Sequence, residues 1–327
     1  RFKMTGYFAL SFILLLASPV VILPYKILVV PFGCGFNSRL LNLQKLADIL
    51  AQDGHDVTVL MNTRVSEHTI TKYAETIEFF VPEETSDVGD VEVRQTSIWN
   101  IFALFDDAMR TELMFNKALM KDTATLEKIR DTEFDLIFGD AMAVSTNLLS
   151  AHLDITTILY HNFLIPYDPT MFMPLTPSIT CVIPGMACSP HDMDFKDRVS
   201  NFISYVAINI FFMNTLKNAQ QFAEELDFTL HTPLYDVYKN KVMVINANYI
   251  LDTPLPTMPN VFPISGLYHK EPSPLNKEFS DIVQSSLPNG VVLLSFGTMM
   301  PEFDADKADI FARVLGRLPQ SVIWRFT

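Results

Sequence analysis

The stretch from Tyr25 to Leu60 constrains the fold most, because its hydrophobic period changes twice within it. Lys26 to Val30 is a short apolar run, typical of a strand that is buried on both faces. The apolar residues that follow recur at helical spacing, at Leu41, Leu43, Leu46, Ile49 and Leu50. Gly54 ends that helix, and Asp56 to Leu60 is a second apolar run. This order predicts a right-handed βαβ unit with parallel strands, whose ligands bind beyond the carboxyl ends of the strands.

The loop from Pro31 to Arg39 is therefore the first candidate for a functional site. It contains the series Gly33-Cys34-Gly35-Phe36-Asn37-Ser38, one residue short of the dinucleotide fingerprint G-x-G-x-x-G/A. That motif also requires an acidic residue at the end of the next strand, which here ends in Met61-Asn62 without one. The glycines are better explained by a turn, and a nicotinamide or flavin oxidoreductase is the weaker alternative.

Composition limits the class of partner. The chain has 327 residues and is 49% hydrophobic, enough to bury the core of one large or two medium α/β domains. Its formal net charge of −13 argues against a nucleic-acid partner, which requires a basic face. The three cysteines, Cys34, Cys181 and Cys188, do not have the spacing of a metal site.

The first 24 residues have the pattern of a targeting segment. Lys3 precedes the apolar run Tyr7 to Leu16, which is followed by the small residues Ala17-Ser18. This order is typical of a secretory signal peptide. Because the apolar character continues to Leu23, an uncleaved N-terminal membrane helix is the alternative. Both interpretations predict entry into the secretory pathway.

Two further βα patterns extend the first unit. Phe134 to Phe138 reads as a buried strand that leads into Asp140, Val144 to Leu153 as a helix, and Ile155 to Tyr160 as a strand that ends at His161. The fold class predicted is α/β, with a doubly wound parallel sheet over residues 25–285.

A second domain is predicted to begin at residue 286. Val291 to Phe296, Asp304 to Leu315 and Val322 to Phe326 repeat the order of strand, helix and strand. Residues 286–327 therefore predict the start of another parallel domain, incomplete within this sequence.

Two stretches of the first domain have a predicted binding role. Pro166 to Pro190 is too rich in proline for a regular helix and is predicted to be a binding loop. Apolar side chains in this loop and just before it suggest a flexible apolar pocket, at Phe163, Tyr167, Met171, Phe172 and Met173. Asp194 to Leu226 reads as a helix that is apolar nearly all round from Phe202 to Phe212. A core helix is one interpretation, and a helix that dips into a membrane face is the other.

Several stretches, in order, resemble the UDP-glycosyltransferases of animal membranes, the glucuronosyltransferase and ceramide galactosyltransferase group. The resemblance runs from about residue 25 to residue 327 and is carried by KILVVP, LADILAQDGHDVTVL, FDLIFGD, MDFKDRVSNF, NANYILDTPLPTMPNVFPISGL, VVLLSFGT and LGRLPQSVIWRF. It implies the two-domain GT-B fold, in which the N-terminal half binds the acceptor and the C-terminal half binds the nucleotide sugar. That fold agrees with the two βα domains predicted from periodicity.

The resemblance also implies an activity. Such an enzyme transfers a hexosyl group, here glucuronic acid as the first expectation, from a UDP-sugar to a small lipophilic acceptor. The reaction inverts the anomeric carbon and uses no metal and no cofactor, since the UDP-sugar is a co-substrate. The implied location is the lumen of the endoplasmic reticulum, with membrane association and self-association as a homo-oligomer.

The resemblance assigns the catalytic positions residue by residue. Asp140 matches the family's catalytic aspartate, although a helix N-cap is its alternative role. The family's catalytic histidine, which removes the acceptor proton, falls on Arg39, and an arginine cannot act as a base. The departure predicts either a preference for acidic or amine acceptors over alcohols, or a substitute base, for which His161 is the candidate.

On the donor side, Ser295, Gly297 and Thr298 match the loop that borders the UDP diphosphate in the family. The family's main donor signature and its membrane anchor would lie after residue 327. The chain alone is therefore expected to be inactive. A catalytically silent acceptor-binding fragment is the rival interpretation, favoured by Arg39.

Overall fold

The computed structural model describes residues 23–33, 37–65, 70–82, 98–162, 193–239, 241–248, 250, 257–267, 273–296 and 305–325. These residues fall into two compact units, one within residues 1–86 and 111–267 and the other within residues 87–110 and 268–327. The predicted targeting segment (to residue 22), the three cysteines and the predicted acceptor-pocket residues lie outside the described residues.

The described part of the first unit contains one seven-stranded sheet. Its strands are β1 (Lys26–Val30), β2 (Asp56–Asn62), β3 (Glu75–Phe79), β4 (Leu136–Asp140), β5 (Thr157–His161), β6 (Val242–Asn246) and β7 (Val261–Ile264). The described helices that precede β6 are α1 (Asn37–Gln52), α2 (Ile98–Lys121), α3 (Thr123–Thr132), α4 (Val144–Leu153), α5 (Phe195–Glu225) and α6 (Leu234–Lys239).

All strands of this sheet are parallel, in the order β3-β2-β1-β4-β5-β6-β7. The chain therefore winds outward from β1 to one edge, returns, and winds from β4 to the other edge. The point of reversal lies between β1 and β4, where Val30 is in register with Gly139. Ligands of doubly wound sheets bind in the crevice at this point, beyond the carboxyl ends of the two strands.

Helices pack on both faces of the sheet. The buried stripe of α1, formed by Leu40, Leu43 and Ala47, packs with the side chains on one face of β1, β2, β4 and β5. On the opposite side, α4 packs with the C-terminal half of α5 and with α6, through residues that include Leu148, Ala219 and Leu234. Burying each such leucine stabilises the fold by about 1.5–3 kcal/mol. The apolar residues that recur at helical spacing therefore form the contacts between the helices and the rest of the domain.

The element β7 was not predicted, because Pro263 lies within a stretch punctuated by prolines. A proline cannot donate to a strand ladder, and it is tolerated in an edge strand. The structure places β7 at the edge of the sheet, with Pro263 in register with Ile245 of β6. Tertiary packing therefore overrides the local signal at this position.

The helix α5 combines a packed end with an exposed apolar end. Asp194 caps its N-terminus by accepting a hydrogen bond from the Asp197 amide at 2.8 Å. Ala219 and Ala223 near its C-terminus are fully buried, whereas Phe202 is 60% exposed. Among the described residues, α5 is the one helix long and apolar enough to cross a membrane, by length and composition. The core interpretation holds for its C-terminal half, and a membrane-facing role for the remainder stays a prediction.

The second unit contains the predicted βαβ motif. Besides residues 98–110 of α2, its described elements are α7 (Lys277–Ser285), β8 (Val291–Leu294), α8 (Ala305–Leu315) and β9 (Ser321–Trp324). The strands β8 and β9 pair in parallel. Phe311 of α8 contacts the rings of Phe296 and Trp324, at 5.6 and 6.1 Å between centroids. The helix α7 lies in this unit, and the predicted domain boundary at residue 286 stays a prediction.

The close approach of α4 to β4 leaves no space for a side chain at Gly139. A Cβ atom at this position would lie 2.9 Å from Thr146 Cβ and closer still to Oγ1 and Cγ2. We expect Gly139→Ala to lower the free energy of unfolding by about 1–3 kcal/mol, as overpacking of a rigid core does. Chemical denaturation of the 327-residue chain measures this value. Adding Thr146→Ala should recover part of the loss, and a Gly139→Ala variant as stable as the parent would contradict the close packing.

Candidate active site

Asp140 ends β4 at the point where the sheet reverses direction. Its side chain is fully buried, and Oδ1 accepts a hydrogen bond from the amide of Met142 at 2.8 Å. The hydroxyl of Thr146 donates to the Asp140 carbonyl at 3.1 Å. The N-cap of α4 is Ala143, which makes no side-chain cap bond, so Asp140 is not the cap of that helix. The carboxylate is therefore available for another role.

The partner of that carboxylate is Arg39, which lies on the first turns of α1. Arg39 Nε donates to Asp140 Oδ2 at 2.8 Å, and Nη2 donates to Oδ1. Arg39 is 3% exposed, and its guanidinium carbon lies 5.6 Å from the centre of the Phe32 ring. A two-pronged pair of this kind is strong and directional. The two residues predicted from the family pattern therefore meet directly, and Asp140 takes up two of the guanidinium nitrogens that an acceptor carboxylate would need.

His161 ends β5 but lies on the other face of the sheet. The register pairs Asp140 with Tyr160, and successive side chains of a strand point to opposite faces. Tyr160 packs in the same cluster as α1, whereas Leu159 packs in a separate cluster with Met243 and Ile245. His161 shares the parity of Leu159, so the structure does not bring it to Asp140. The catalytic role of His161 stays a prediction without geometric support here.

Glu112 of α2 is a buried carboxyl group that the sequence reasoning missed. It is 1% exposed and accepts hydrogen bonds from the Gly33 amide at 3.2 Å, the Ser145 hydroxyl at 3.3 Å and the Asn116 side chain at 3.3 Å. Burial, together with a smaller effect of the Asp140 charge, raises the pKa of Glu112 to about 7, although these three hydrogen bonds partly oppose the rise.

A signal for Glu112 was present in the sequence. The sequence from Ser97 to Met120 is apolar at helical spacing, and Glu112 lies within its apolar stripe, three residues after Met109 and three before Phe115, both of which are buried. A carboxyl group within such a stripe must be paired, protonated or functional. Hydrophobic periodicity predicts that this stretch is a helix, but it does not predict which elements pack against it. The contacts of Glu112 with Gly33 and Ser145 are therefore seen only in the structure.

A small cavity adjoins Glu112. Its volume is about 20 Å³, which is space for about one water molecule. Its walls come from the carboxyl ends of β1 and β2, the loop after β1, β3, α2 and the start of α4, and they include Phe32, Gly33, Asn62, Phe79, Glu112 and Ser145. The cavity therefore lies at the same end of the sheet as Asp140.

The donor-side residues are only partly described. Ser295 follows β8 in the second unit and is exposed, whereas Gly297 and Thr298 lie outside the described residues. Their contact with a diphosphate stays a prediction. Within the described part of the chain, no three His, Cys, Asp or Glu side chains converge to hold a metal ion.

Comparison with known proteins agrees with the resemblance. The family described as "UDP-glucoronosyl and UDP-glucosyl transferase" matches residues 25–327. UDP-glucuronosyltransferase 2B14 of Oryctolagus cuniculus is 30% identical over 328 residues, which cover 92% of this chain and 59% of that protein. UDP-glucuronosyltransferase 2B7 of Homo sapiens is 27% identical, over 88% of this chain and 58% of that protein. The chain thus spans about three fifths of the length of these relatives.

Solved structures show the fold. Arabidopsis thaliana UGT89C1 complexed with quercetin superposes with a TM-score of 0.53 at 14% identity, over 92% of this chain and 65% of that one. The glycotransferase of kitacinnamycin gives 0.52 at 12% identity, over 93% and 66%. These neighbours have the GT-B fold, which confirms the predicted α/β fold class. With the family match over residues 25–327, the chain belongs to the UDP-glycosyltransferase family.

Proposed function

We propose that the protein is a glucuronosyltransferase, which transfers a hexosyl group from a UDP-sugar to a small lipophilic acceptor. The transfer inverts the anomeric carbon and needs no metal ion. The observation that carries the proposal is the position of Asp140 in a member of this family: a fully buried carboxylate at the carboxyl end of β4, where the sheet reverses direction. Catalytic groups of doubly wound sheets gather at this point.

The proposed transfer requires a base at the site. An acceptor hydroxyl is a weak nucleophile and needs a base within hydrogen-bond reach as it attacks the anomeric carbon. Arg39 cannot take a proton, so its role is electrostatic. Asp140 holds Arg39 through two hydrogen bonds and thereby fixes the start of α1 beside the loop after β1. This pair orders the acceptor side of the site, and the proton acceptor must be another group.

The donor side is proposed from the family and from its neighbours. Structures of UGT89C1 complexed with UDP and with UDP-L-rhamnose have TM-scores of 0.51 with this chain. We assign Ser295, Gly297 and Thr298 to the donor diphosphate, because a strand-to-helix turn offers backbone amides to phosphate oxygens. Glucuronic acid is the sugar that the names of the relatives favour.

The proposed location is the lumenal side of the endoplasmic reticulum membrane. The N-terminal sequence predicts entry into the secretory pathway, and α5 exposes large apolar side chains along its N-terminal half, including Phe202, Ile203 and Ile210. An apolar helix face of this kind suits a membrane surface. Self-association as a homo-oligomer belongs to the same proposal and rests on the family alone.

A silent acceptor-binding protein is the second candidate, favoured by the arginine at the family's histidine position. The enzyme would transfer a sugar to its acceptor, whereas the silent protein would only bind the acceptor. We expect the full-length gene product to transfer glucuronic acid from its UDP-sugar to lipophilic phenols or acids. Transfer from the UDP-sugars of glucose and galactose should be weaker. Product formation, measured by chromatography across a panel of UDP-sugars and acceptors with EDTA present, tests this.

Two results of that assay would contradict the proposal. Binding of acceptors without transfer from any UDP-sugar would favour the silent protein. Complete loss of transfer in EDTA, with recovery on adding a divalent cation, would exclude the metal-independent reaction. The 327-residue chain, assayed in parallel, is expected to show no transfer.

A further inference from the structure

The proton acceptor of the proposed transfer must lie among groups that can change protonation. Arg39 stays charged, and both oxygens of Asp140 are occupied by Arg39. The side chain of His161 faces away from Asp140. The carboxyl group of Glu112 lies at the same end of the sheet as Asp140, and the charge of Asp140 acts on it. Resting on the proposed function, we propose that Glu112 is the general base, which accepts the proton of the acceptor hydroxyl group.

The contacts of Glu112 suit this role. Oε2 accepts from the amide of Gly33, in the loop after β1, and Oε1 accepts from Asn116 on the same helix and from Ser145 on α4. These bonds fix the carboxyl group between the elements that end at the site. A base held in a single orientation loses little freedom when it meets its substrate.

The cavity beside Glu112 has room for one oxygen atom with its hydrogen. Its volume, about 20 Å³, admits a water molecule or a hydroxyl group but not the body of a lipophilic acceptor. Apolar side chains surround it, including those of Phe32, Phe79 and Phe115. A hydroxyl group that enters this space lies next to Glu112, with the acceptor body outside.

Local charge supports the inference. Asp140, which is paired to Arg39, is a charged group that acts on Glu112. The neutral groups that face Glu112 are Asn116 on α2, Ser145 on α4 and the Gly33 amide. Burial beside the Asp140 charge raises the pKa of Glu112 to about 7. A base that is half ionised near neutral pH is well matched to proton transfer.

The step balances as a displacement. The O–H bond of the acceptor breaks and its proton moves to a carboxylate oxygen of Glu112. The electron pair left on the acceptor oxygen forms the bond to the anomeric carbon. The bond from this carbon to the UDP oxygen breaks, and UDP leaves with its electron pair. No oxidant or reductant is needed.

The test compares two acceptors in the full-length gene product. Glu112→Gln should lower kcat for 1-naphthol by roughly 10²–10⁴-fold, because the amide cannot take the proton. It should lower kcat for 1-naphthoic acid far less, because that acceptor is already ionised. In the parent, kcat/KM for 1-naphthol should rise with pH through about 7, and the variant should lose this rise. Glu127→Gln, at an exposed position of α3, is the matched control.

A second substitution and a binding measurement separate the remaining explanations. Arg39→His in the Glu112→Gln background should restore 1-naphthol transfer, because an imidazole beside Asp140 is an oriented base. Difference infrared spectra of the 327-residue chain should show the Glu112 carboxyl band shift when 1-naphthol binds. Equal losses for both acceptors, or no band shift, would overturn the proposal. A band shift in a protein that transfers to neither acceptor would overturn the proposed function, and with it the catalytic step.

Discussion

Asp140→Asn should destabilise the first unit by about 3–5 kcal/mol and abolish transfer by the full-length protein. The substitution keeps the size of the side chain but removes the charge that balances Arg39, which is 3% exposed. An ion left buried without its partner carries the desolvation cost unopposed, and this loss typically has that magnitude. Urea denaturation of the 327-residue chain at pH 7 measures the stability, and a UDP-sugar assay measures transfer.

Two companion variants show whether the ion pair is the cause. Adding Arg39→Met to Asp140→Asn also removes the guanidinium that has lost its carboxylate, so stability should return while transfer stays absent. Asp131→Asn, at an exposed carboxylate of α3, should stay within about 0.5 kcal/mol of the parent. If the double variant is as unstable as Asp140→Asn, the loss does not come from a buried charge. If Asp140→Asn keeps transfer, Asp140 has a structural role alone.

Glu112→Gln should stabilise the chain above pH 7 and leave its stability nearly unchanged below pH 4. Between pH 4.5 and about 7 the unfolded chain releases the Glu112 proton while the folded chain keeps it. The folded state then binds more protons than the unfolded state, so the free energy of unfolding falls as pH rises. The fall amounts to roughly 3 kcal/mol, since each pKa unit is worth about 1.36 kcal/mol. Glutamine does not titrate, so the variant should not show this fall in the free energy of unfolding.

Denaturant midpoints of parent and variant, measured from pH 4 to pH 8, check this prediction. The amide oxygen of the substituted side chain can keep one hydrogen bond, and the hydroxyl of Ser145 can accept from the new amide group. Glu127→Gln should follow the parent at every pH, because that carboxylate is exposed in both states. A difference between parent and Glu112→Gln that does not change with pH would mean that the Glu112 carboxyl does not titrate in this range.

The sequence by itself determined most of the strands and helices, but not the edge strand β7. Lys26–Val30 and Val144–Leu153 have the bounds that their hydrophobic periods predict. The order of strand and helix also determined that the sheet is parallel, because a helix between two strands returns the chain to the same end of the sheet. The position of Asp140 at the end of a strand followed from the same pattern. These features depend on neighbours in the sequence.

The tertiary structure alone decided which side chains meet. Arg39 and Asp140 are 101 residues apart, and Gly33 and Glu112 are 79 apart, so no local period relates them. The strand order brings β1 beside β4, and this adjacency creates the ion pair at the reversal point. The register, which puts Tyr160 opposite Asp140, turns His161 to the other face. The charge states of a site depend on burial and on contacts across strands, and for that reason Glu112 appeared only in the fold.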